Sequence, residues 1–389
     1  MTVCDLTHAY HATSGGIRTY IDAKRRYVLG HTEHRHVTVV PGARDAVRHE
    51  GRATTVEIAS PTIPGAAPYR WFARPDRVFA ALQQTAPDVV EVGTFYMPTE
   101  WGPAFAYRWR ARRDGRRAAV AIQVHTDFAS SYAEAYSAKL LGAAGGRMVG
   151  RLAQTYTRRL LAAADLRLAP SPFQAERLAP YGLPVETIPL GVDTDVFSPD
   201  AADPAVRQEL GVPPDAVLAI YVGRLDSEKR TATLADAASR ANDASPTVLV
   251  MVGDGPDREE LEAQQAAGAP IRVRPFLQDR AGLARLLASA DVYVTAGPYE
   301  TFGLSVIEAQ ACGLPVVGVE AGALVERVPP GVGLLGPVDD AQAMAANLAQ
   351  AAAQRDALGP AARRLAVDQF SWRSSFDTLF RLYAQALEP

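Results

Sequence analysis

Short runs of β-branched residues alternate along this chain with longer stretches rich in alanine, leucine and arginine. In the first half, the runs that predict strands are residues 37–40, 89–92, 118–124, 166–169 and 185–188. Helices are predicted among them at residues 17–29, 77–84, 140–164 and 173–180. Such alternation is typical of βαβ units, so we expect a parallel sheet covered by helices.

The same rhythm restarts after a segment rich in proline, glycine and aspartate, residues 188–200, which predicts a linker. Strands are then predicted at residues 217–222, 247–252, 271–274, 292–295 and 315–319. Helices are predicted at residues 230–241, 258–267, 280–289 and 305–311, with a helical tail over 341–387. Ligands of doubly wound sheets bind beyond the carboxyl ends of the strands, so functional residues are expected in the loops after strands.

The charge differs between the two halves of the chain. Residues 1–190 hold 24 Lys+Arg and 16 Asp+Glu, and the remaining residues hold 16 and 27. The first half therefore carries +8 and the second –11, which suggests that the first half faces an anionic partner. A dense basic run, residues 108–117, is either an ordinary solvated surface or a contact with an anionic membrane. No aromatic-interleaved basic motif accompanies it, so no nucleic-acid partner is expected.

Composition narrows the class of protein further. Apolar residues make up 48% of the chain and charged residues 21%, the balance of a globular protein. No apolar run reaches the roughly 18 residues of a membrane-spanning helix, and the first residues lack the pattern of a secretory signal. The two cysteines, Cys4 and Cys312, suffice neither for a disulfide framework nor for a zinc site. A cytoplasmic location and no metal are therefore expected.

Two loops of the second half carry candidate chemistry. In the first, Glu300 precedes a predicted helix start at Phe302-Gly303-Leu304, and Glu308 lies inside that helix. Free amides at a helix start favour a bound anion, and a carboxylate accepts hydrogen bonds from neighbouring sugar hydroxyls. This loop predicts one acid near a sugar and one near a nucleoside, with a phosphate between them.

The second loop, Gly223 to Lys229, also follows a strand and precedes a helix. Arg224 can bind phosphate with two nitrogens, and Lys229 supplies a point charge. Together they suit a diphosphate leaving group, whose charge grows as its bond to a sugar breaks. Surface cations paired with Asp226 and Glu228 are the alternative interpretation.

Two loops of the first half are weaker candidates. Gly15-Gly16 stands at a helix start and could present amides to a ligand, although a plain turn has the same pattern. His125 ends a predicted buried strand, and Asp127 follows it. Tyr132 and Tyr136 are four residues apart on one helix face, where they either line an acceptor groove or belong to the core.

These loops in this order resemble family 4 of the retaining glycosyltransferases with the GT-B fold. The E-x7-E element Glu300–Glu308 is the most specific part, followed by residues 223–229 and the linker Pro189-Leu190-Gly191-Val192-Asp193. The resemblance implies two Rossmann-like domains that face each other across a cleft, an acceptor domain over 1–190 and a nucleotide-sugar domain over 191–370. It also implies that the last helix, 371–389, crosses back onto the first domain.

The resemblance further implies roles for individual residues. Arg224 and Lys229 would hold the donor diphosphate, Glu300 the donor sugar and Glu308 the ribose. Backbone groups at Gly16, Gly223, Phe302, Gly303 and Leu304 would contact the sugar and phosphates, and those at Phe276 and Leu277 the base. His125 would lie near the transferred sugar, with Asp127, Tyr132 and Tyr136 as weaker acceptor candidates. No cofactor and no metal would be needed, because the leaving phosphate itself accepts the proton of the acceptor in a same-face mechanism.

The expected reaction is transfer of a hexose from GDP-mannose or a UDP-hexose to a hydroxyl group. The region around residues 88–94 and 125–136 is similar to a subgroup that glycosylates lipids, which would place the enzyme at the inner face of the membrane. A relative that acts on a sugar phosphate or a natural-product alcohol is the alternative. A sugar-nucleotide sensor and a nucleotide-sugar epimerase are two further alternatives, and a sensor would not need Arg224, Lys229, Glu300 and Glu308 together.

Overall fold

The computed structural model describes residues 1–11, 16–64, 69–124, 133 and 135–388, without the side chains of residues 135, 136 and 139–141. The chain divides into two compact units. Unit 1 comprises Met1–Pro189 and Trp372–Pro389, and unit 2 comprises Leu190–Ser371. The boundary at each end lies within one residue of the position expected from the sequence.

Unit 1 contains an eight-stranded sheet in the described part of the chain, in the order β3-β4-β2-β1-β5-β6-β7-β8. Its strands are β1 (Thr2–Leu6), β2 (Arg35–Gly42), β3 (Ala46–Glu50), β4 (Ala53–Ala59), β5 (Val89–Val92), β6 (Ala119–Gln123), β7 (Leu166–Ala169) and β8 (Glu186–Thr187). Only the edge pair β3–β4 is antiparallel within this sheet. Because β1 pairs with β2 on one side and β5 on the other, the order of the strands reverses at β1 and β5.

Helices cover both faces of this sheet. They are α1 (Gly16–His31), α2 (Pro75–Thr85), α3 (Pro98–Arg113), α4 (Ala135–Ala163, non-helical at Gly142), α5 (Pro172–Leu178) and, from the end of the chain, α14 (Trp372–Ala386). The main core packs α2 and α3 against alternate side chains of the central strands, such as Leu6, Val92 and Ile122. The opposite face of the sheet is covered by α1 and α14.

The first strand, β1, was not predicted from the sequence, because it is short and contains a charged residue, Asp5. Asp5 is buried there, and its carboxylate binds Lys24 Nζ of α1 at 2.7 Å and His36 Nε2 of β2 at 2.6 Å. Lys24 also lies 3.1 Å from Glu91 of β5. Burial of an unpaired carboxylate costs several kcal/mol, so these partners are what permit a charged residue in a central strand.

The last helix, α14, belongs to unit 1 through aromatic and polar contacts. Trp372 and Phe376 are stacked at 5.1 Å, and Phe376 lies 5.8 Å from the ring of Tyr20 on α1. Tyr383 is buried, lies within hydrogen-bond distance of Lys24 Nζ and donates to the Glu91 carboxylate. The helix therefore completes the buried polar group beneath β1 and β5.

Unit 2 contains a six-stranded sheet of the order β11-β10-β9-β12-β13-β14, parallel throughout its described pairs. The strands are β9 (Val217–Val222), β10 (Thr247–Val252), β11 (Ile271–Arg274), β12 (Val292–Val294), β13 (Val316–Val319) and β14 (Gly333–Gly336). The helices are α6 (Ala205–Glu209), α7 (Thr231–Ala244), α8 (Arg258–Ala266), α9 (Arg280–Ala288), α10 (Leu304–Ala311), α11 (Leu324–Arg327), α12 (Ala341–Ala353) and α13 (Arg355–Gln369). The strand order reverses between β9 and β12.

No helix in the described ranges is both long enough and apolar enough to cross a membrane.

Candidate active site

The strand-order reversal in unit 2 brings together two of the loops singled out from the sequence. Lys229 closes a short helical turn, Ser227–Lys229, after β9, and Glu300 follows β12. Lys229 Nζ lies 2.9 Å from Glu300 Oε2, although the two residues are 71 positions apart in sequence. The reversal point of a doubly wound sheet is where such folds bind ligands, so this ion pair marks the candidate site.

The ion pair is accessible yet strongly coupled. The side chains of Lys229 and Glu300 are 18% and 22% exposed. Burial alone would raise the pKa of Glu300, but the Lys229 ammonium and backbone amides at Gly303 and Phe302 outweigh it and lower the pKa. Burial would likewise lower the pKa of Lys229, and Glu300 reverses this, so its pKa lies above the usual value. Both groups are therefore charged at neutral pH and can meet polar groups of a ligand.

A backbone turn at Gly303 links this ion pair to the start of α10. Glu300 Oε1 accepts a hydrogen bond from the Gly303 amide at 3.1 Å, and Gly303 adopts a φ of 85°. A residue with a Cβ is strained in that region, so glycine permits the turn. The helix begins at Leu304, and its free amides and dipole favour an anion.

Phe302 lies in the same turn and is contacted by Arg327, a residue that the sequence analysis missed. Arg327, 4% exposed, donates from Nε to the Phe302 carbonyl at 3.0 Å. Its guanidinium stacks on the rings of Phe302 and Phe370, 4.3 Å and 4.6 Å from their centroids. Burial lowers the pKa of Arg327 to about 10. The hydrogen bond to the Phe302 carbonyl and the stacking on the two rings together fix the position of the glycine turn.

Arg224 lies at the surface near the start of the same loop. Its guanidinium binds Asp226 and lies 2.8 Å from Glu228 Oε2, the pairing that the alternative interpretation of this loop proposed. The side chain remains 60% exposed, so these contacts leave it within reach of solvent. The backbone of the neighbouring Gly223 is approached closely by Gly253, where an added Cβ would stand 1.8 Å from the Gly223 carbonyl oxygen.

Glu308 is buried one turn further along α10, with a partner that the sequence did not reveal. Its Oε1 lies 2.7 Å from Arg280 Nη2 at the start of α9. Burial raises the pKa of Glu308, and Arg280 offsets part of that effect. The one signal for Arg280 was a cation in the first turn of a predicted helix, where the helix dipole disfavours it unless an acid is near.

The remaining predicted site residues lie in several places. Phe276 and Leu277 are in the loop after β11, with the Phe276 side chain 40% exposed. Gly16 is the exposed first residue of α1 in unit 1. His125, Asp127 and Tyr132 fall outside the described residues, and Tyr136 lies in α4 with its side chain not described. In the described ranges, no three His, Cys, Asp or Glu side chains form a group that could hold a metal ion.

Two doubly wound units, with a lysine–glutamate pair and a glycine turn at a helix start, are the architecture and site expected of a glycosyltransferase with the GT-B fold. Residues 14–196 match the family model for Glycosyltransferase Family 4, and residues 203–365 match the model for glycosyl transferases group 1. The chain belongs to glycosyltransferase family 4. The fold, the family and the glycosyltransferase function expected from the sequence are therefore confirmed.

Individual relatives support this assignment. The chain is 33% identical over 332 residues to a GDP-mannose-dependent alpha-(1-6)-phosphatidylinositol dimannoside mannosyltransferase of Mycobacterium tuberculosis, covering 84% of this chain and 82% of that protein. It is 38% identical over 215 residues to a D-inositol 3-phosphate glycosyltransferase of Geodermatophilus obscurus, covering 52% and 47%. Among solved structures, sucrose-phosphate synthase from Thermosynechococcus elongatus superposes with a TM-score of 0.75 at 20% identity, covering 99% of this chain and 98% of that one. That last similarity concerns the fold alone.

Proposed function

We propose that this enzyme is a retaining hexosyltransferase that moves mannose from GDP-mannose to a hydroxyl of a membrane lipid with an inositol-based head group. The observation that carries the proposal is the Lys229–Glu300 pair at the strand-order reversal of unit 2. The similarity over most of the chain to a GDP-mannose-dependent phosphatidylinositol dimannoside mannosyltransferase supports the choice of donor and acceptor.

The donor would bind to unit 2 through charge and backbone contacts. Lys229 and the exposed Arg224 would meet the diphosphate, and the amides at the start of α10 would add hydrogen bonds. Glu300 would bind hydroxyls of the mannose and Glu308 those of the ribose, since carboxylates accept two hydrogen bonds from neighbouring hydroxyls. The base would lie along the loop of Phe276 and Leu277.

Transfer would occur on one face of the sugar. The bond between the anomeric carbon and the diphosphate oxygen breaks, and the acceptor oxygen bonds to the same carbon. The leaving phosphate oxygen takes the acceptor proton, so no carboxylate nucleophile is required. Lys229 and Arg224 would stabilise the charge that grows on the diphosphate, as preorganised cations do in a transition state. His125, Asp127, Tyr132 and Tyr136 remain candidates on the acceptor side.

We propose that no cofactor or metal is needed for this step, because two protein cations are available to neutralise the diphosphate. Activity should then be the same with excess EDTA as with added Mg²⁺ or Mn²⁺. A loss of transfer in EDTA that a divalent cation restores would contradict this part of the proposal.

We further propose that the enzyme works in the cytoplasm, at the inner face of the membrane, and that α4 makes the contact. This helix carries Lys139, Arg147, Arg151, Arg158 and Arg159 and no acid. Met148 and Leu152, one turn apart on it, are 60% and 65% exposed, and Arg147 and Arg151 beside them are exposed as well. A helix face that combines arginines with exposed apolar side chains suits an anionic lipid surface.

The run at residues 108–117 is less suited to this contact. Arg108 and Arg112 both bind Asp165, at 2.8 Å and 2.9 Å, and Arg110 binds Asp114. Arg116 and Arg117 donate to the carbonyls of residues 86 and 387. Most of its arginine side chains are thus held by partners within unit 1, which favours α4 as the membrane contact.

The test is release of nucleoside diphosphate from a panel of GDP- and UDP-sugars, with vesicles of phosphatidylinositol dimannoside or with inositol phosphate in solution. The proposal expects release from GDP-mannose only when the lipid is present. Release with inositol phosphate but never with lipid would favour the small-molecule alternative, which the partial similarity to an inositol phosphate glycosyltransferase supports. Product from the donor alone would point to an epimerase.

A separate measurement addresses the membrane contact. The double variant Met148→Ser, Leu152→Ser should sediment with anionic vesicles no better than with neutral ones. The matched control is Val47→Ser, because Val47 is also exposed, at 59%, but lies on the edge strand β3. Unchanged sedimentation of the double variant would show that α4 is not the membrane contact.

A further inference from the structure

Unit 1 has its own strand-order reversal, between β1 and β5, and a polar cluster lies there. Thr7 and His8 directly follow β1, and Thr94 follows β5. The hydroxyls of Thr7 and Thr94 are 3.2 Å apart, which ties the two loops together at the carboxyl ends of the strands. This is the position at which a doubly wound sheet binds its ligand.

The imidazole of His8 is fixed in one orientation by a buried carboxylate. Glu100, in the first turn of α3, accepts two hydrogen bonds at the same oxygen, from the His8 backbone amide at 3.0 Å and from His8 Nδ1 at 2.6 Å. Its other oxygen accepts the Thr94 hydroxyl. Because Nδ1 carries the donated proton, Nε2 of a neutral ring keeps its lone pair and is a hydrogen-bond acceptor.

Glu100 is buried at this position, where a carboxylate without hydrogen-bond partners would be unfavourable. Its side chain is 1% exposed, and burial raises its pKa although the bonds from His8 and Thr94 offset part of the effect. Its carboxylate accepts hydrogen bonds from His8 and Thr94, which lie in the two loops at the strand-order reversal. The carboxylate therefore serves to orient these loops and the imidazole between them.

The same arrangement exists in unit 2. There a residue after the central strand β9 pairs with a glutamate that follows the neighbouring strand β12, namely Lys229 with Glu300. In unit 1, His8 after β1 pairs with Glu100 beyond β5. The cation of unit 2 suits a diphosphate, whereas a neutral imidazole nitrogen suits a hydroxyl group.

We propose that His8 binds the acceptor, with Nε2 accepting a hydrogen bond from a hydroxyl of a polyol head group, and that Glu100 and Thr94 are positioning residues. Within the described residues, no hydrogen bond to Nε2 competes with this one. The inference rests on the proposed function, since it assigns acceptor recognition to unit 1 of a glycosyltransferase.

The decisive variant is His8→Asn. The asparagine amide nitrogen replaces Nδ1 and keeps the bond to Glu100, but no atom remains at the position of Nε2. We expect the thermal midpoint and the affinity for GDP to stay at wild-type values, while the KM for phosphatidylinositol dimannoside in vesicles rises about 10-fold, the effect of one lost hydrogen bond of about 1.4 kcal/mol. A purely structural role of His8 predicts an unchanged KM.

His36→Gln is the matched control. His36 is equally buried and binds Asp5 through Nε2 at 2.6 Å, while its Nδ1 has no partner in the described part of the chain. Glutamine keeps the bonding nitrogen and removes the other one, at the opposite end of the same sheet. Its KM for the lipid should equal that of the wild-type enzyme. A second variant, His8→Gln, places an acceptor oxygen near the position of Nε2 and should recover most of the lost affinity.

Two failures are distinguishable. If the wild-type enzyme transfers mannose to inositol phosphate instead of the lipid, the acceptor in the proposed function is wrong, and the same variants are then compared on inositol phosphate. Whichever acceptor is used, an unchanged KM for it in His8→Asn, with normal GDP binding, overturns the inference about His8. If His8→Asn does not fold, His8→Gln is the deciding variant. A KM for the acceptor that is about 10-fold higher in His8→Gln than in the wild-type enzyme would then overturn the inference about His8.

Discussion

The two units of this protein use charged residues differently at equivalent points of their sheets. In unit 2, Lys229 and Glu300 pair in loops beyond the strands and remain about one-fifth exposed. In unit 1, Lys24, Asp5 and Glu91 pair within the sheet and its covering helix, with side chains at most 3% exposed. Burial depth separates the two uses, because only a pair that solvent reaches can exchange its partner for a ligand, whereas a fully buried pair stabilises the fold.

The His8–Glu100 pair combines both features. It lies beyond the strands, like the pair of unit 2, but it is almost as buried as the network beneath β1 and β5. The difference between the three pairs is therefore testable through substitutions that remove one partner and through separate measurements of stability and activity.

Lys24→Met should have the largest effect, on the stability of unit 1. It leaves Asp5 and Glu91 buried without their cation, and loss of one partner of a buried pair costs about 3–5 kcal/mol. Urea unfolding followed by far-ultraviolet circular dichroism measures this, because the helices and strands of both units contribute to the signal. Lys229→Met is the matched control, with an expected loss below about 1 kcal/mol since Glu300 remains partly solvated. Equal losses in the two variants would contradict the distinction by burial.

Lys229→Met should have the next largest effect, on catalysis. Removal of one preorganised group that stabilises transition-state charge lowers kcat by about 10²- to 10³-fold. The measurement is kcat for GDP-mannose with saturating lipid vesicles. Arg240→Met removes an exposed cation of unit 2 that contacts Asp236 and Gln342, and it should retain wild-type kcat. A Lys229→Met enzyme within threefold of wild type would remove this residue from the site.

Glu308→Gln should act on donor affinity rather than on kcat. The amide keeps one acceptor oxygen for a ribose hydroxyl but loses the charge that pairs with Arg280 at 2.7 Å. We expect the Kd for GDP, measured by calorimetry, to rise about 10-fold, the effect of about 1.4 kcal/mol. Inorganic diphosphate, which lacks the ribose, should bind both proteins equally, and an equal loss for both ligands would argue against a ribose contact.

Tyr383→Phe should have the smallest effect. It removes one hydroxyl between Lys24 and Glu91 without creating a cavity, so we expect a loss of about 1 kcal/mol in the unfolding free energy of unit 1. Tyr27→Phe is the comparison. The Tyr27 hydroxyl on α1 donates to Asp377, which lies on α14 like Tyr383 but at a more exposed position. If Tyr27→Phe is the more destabilising of the two, the buried network contributes less than the surface contact of α14.

Most of unit 2 was predictable from the sequence. The strands 217–222, 247–252 and 271–274 were predicted with the observed bounds. The first two are buried on both faces and are therefore continuous apolar runs, whereas the edge strand 271–274 alternates apolar residues with arginine. Lys229, Glu300 and Gly303 were singled out for the same reason, since they lie in short loops directly after such strands. The strand β14, Gly333–Gly336, was missed, because glycines at both ends weaken its pattern.

Unit 1 was less predictable at its centre. The sequence analysis did not identify β1, nor the edge pair β3 and β4. Without β1, the strand-order reversal of unit 1 could not be located. His8, which follows β1 directly, was therefore not predicted as a site residue. Arg280 and Arg327 were also missed, because an arginine in a surface-like pattern gives no sign of the buried group that it will contact.

The sequence by itself determined the alternation of strands and helices, the division near residue 190 and the family, because these depend on local periodicity and on short motifs. Only the tertiary structure decided which charges meet. Asp5 could become part of a central strand only because Lys24 neutralises its charge and His36 forms a hydrogen bond with it, both from other elements. Glu100 meets His8 across 92 positions, and Glu300 meets Lys229 across 71, since neighbouring parallel strands bring distant loops to one edge of a sheet.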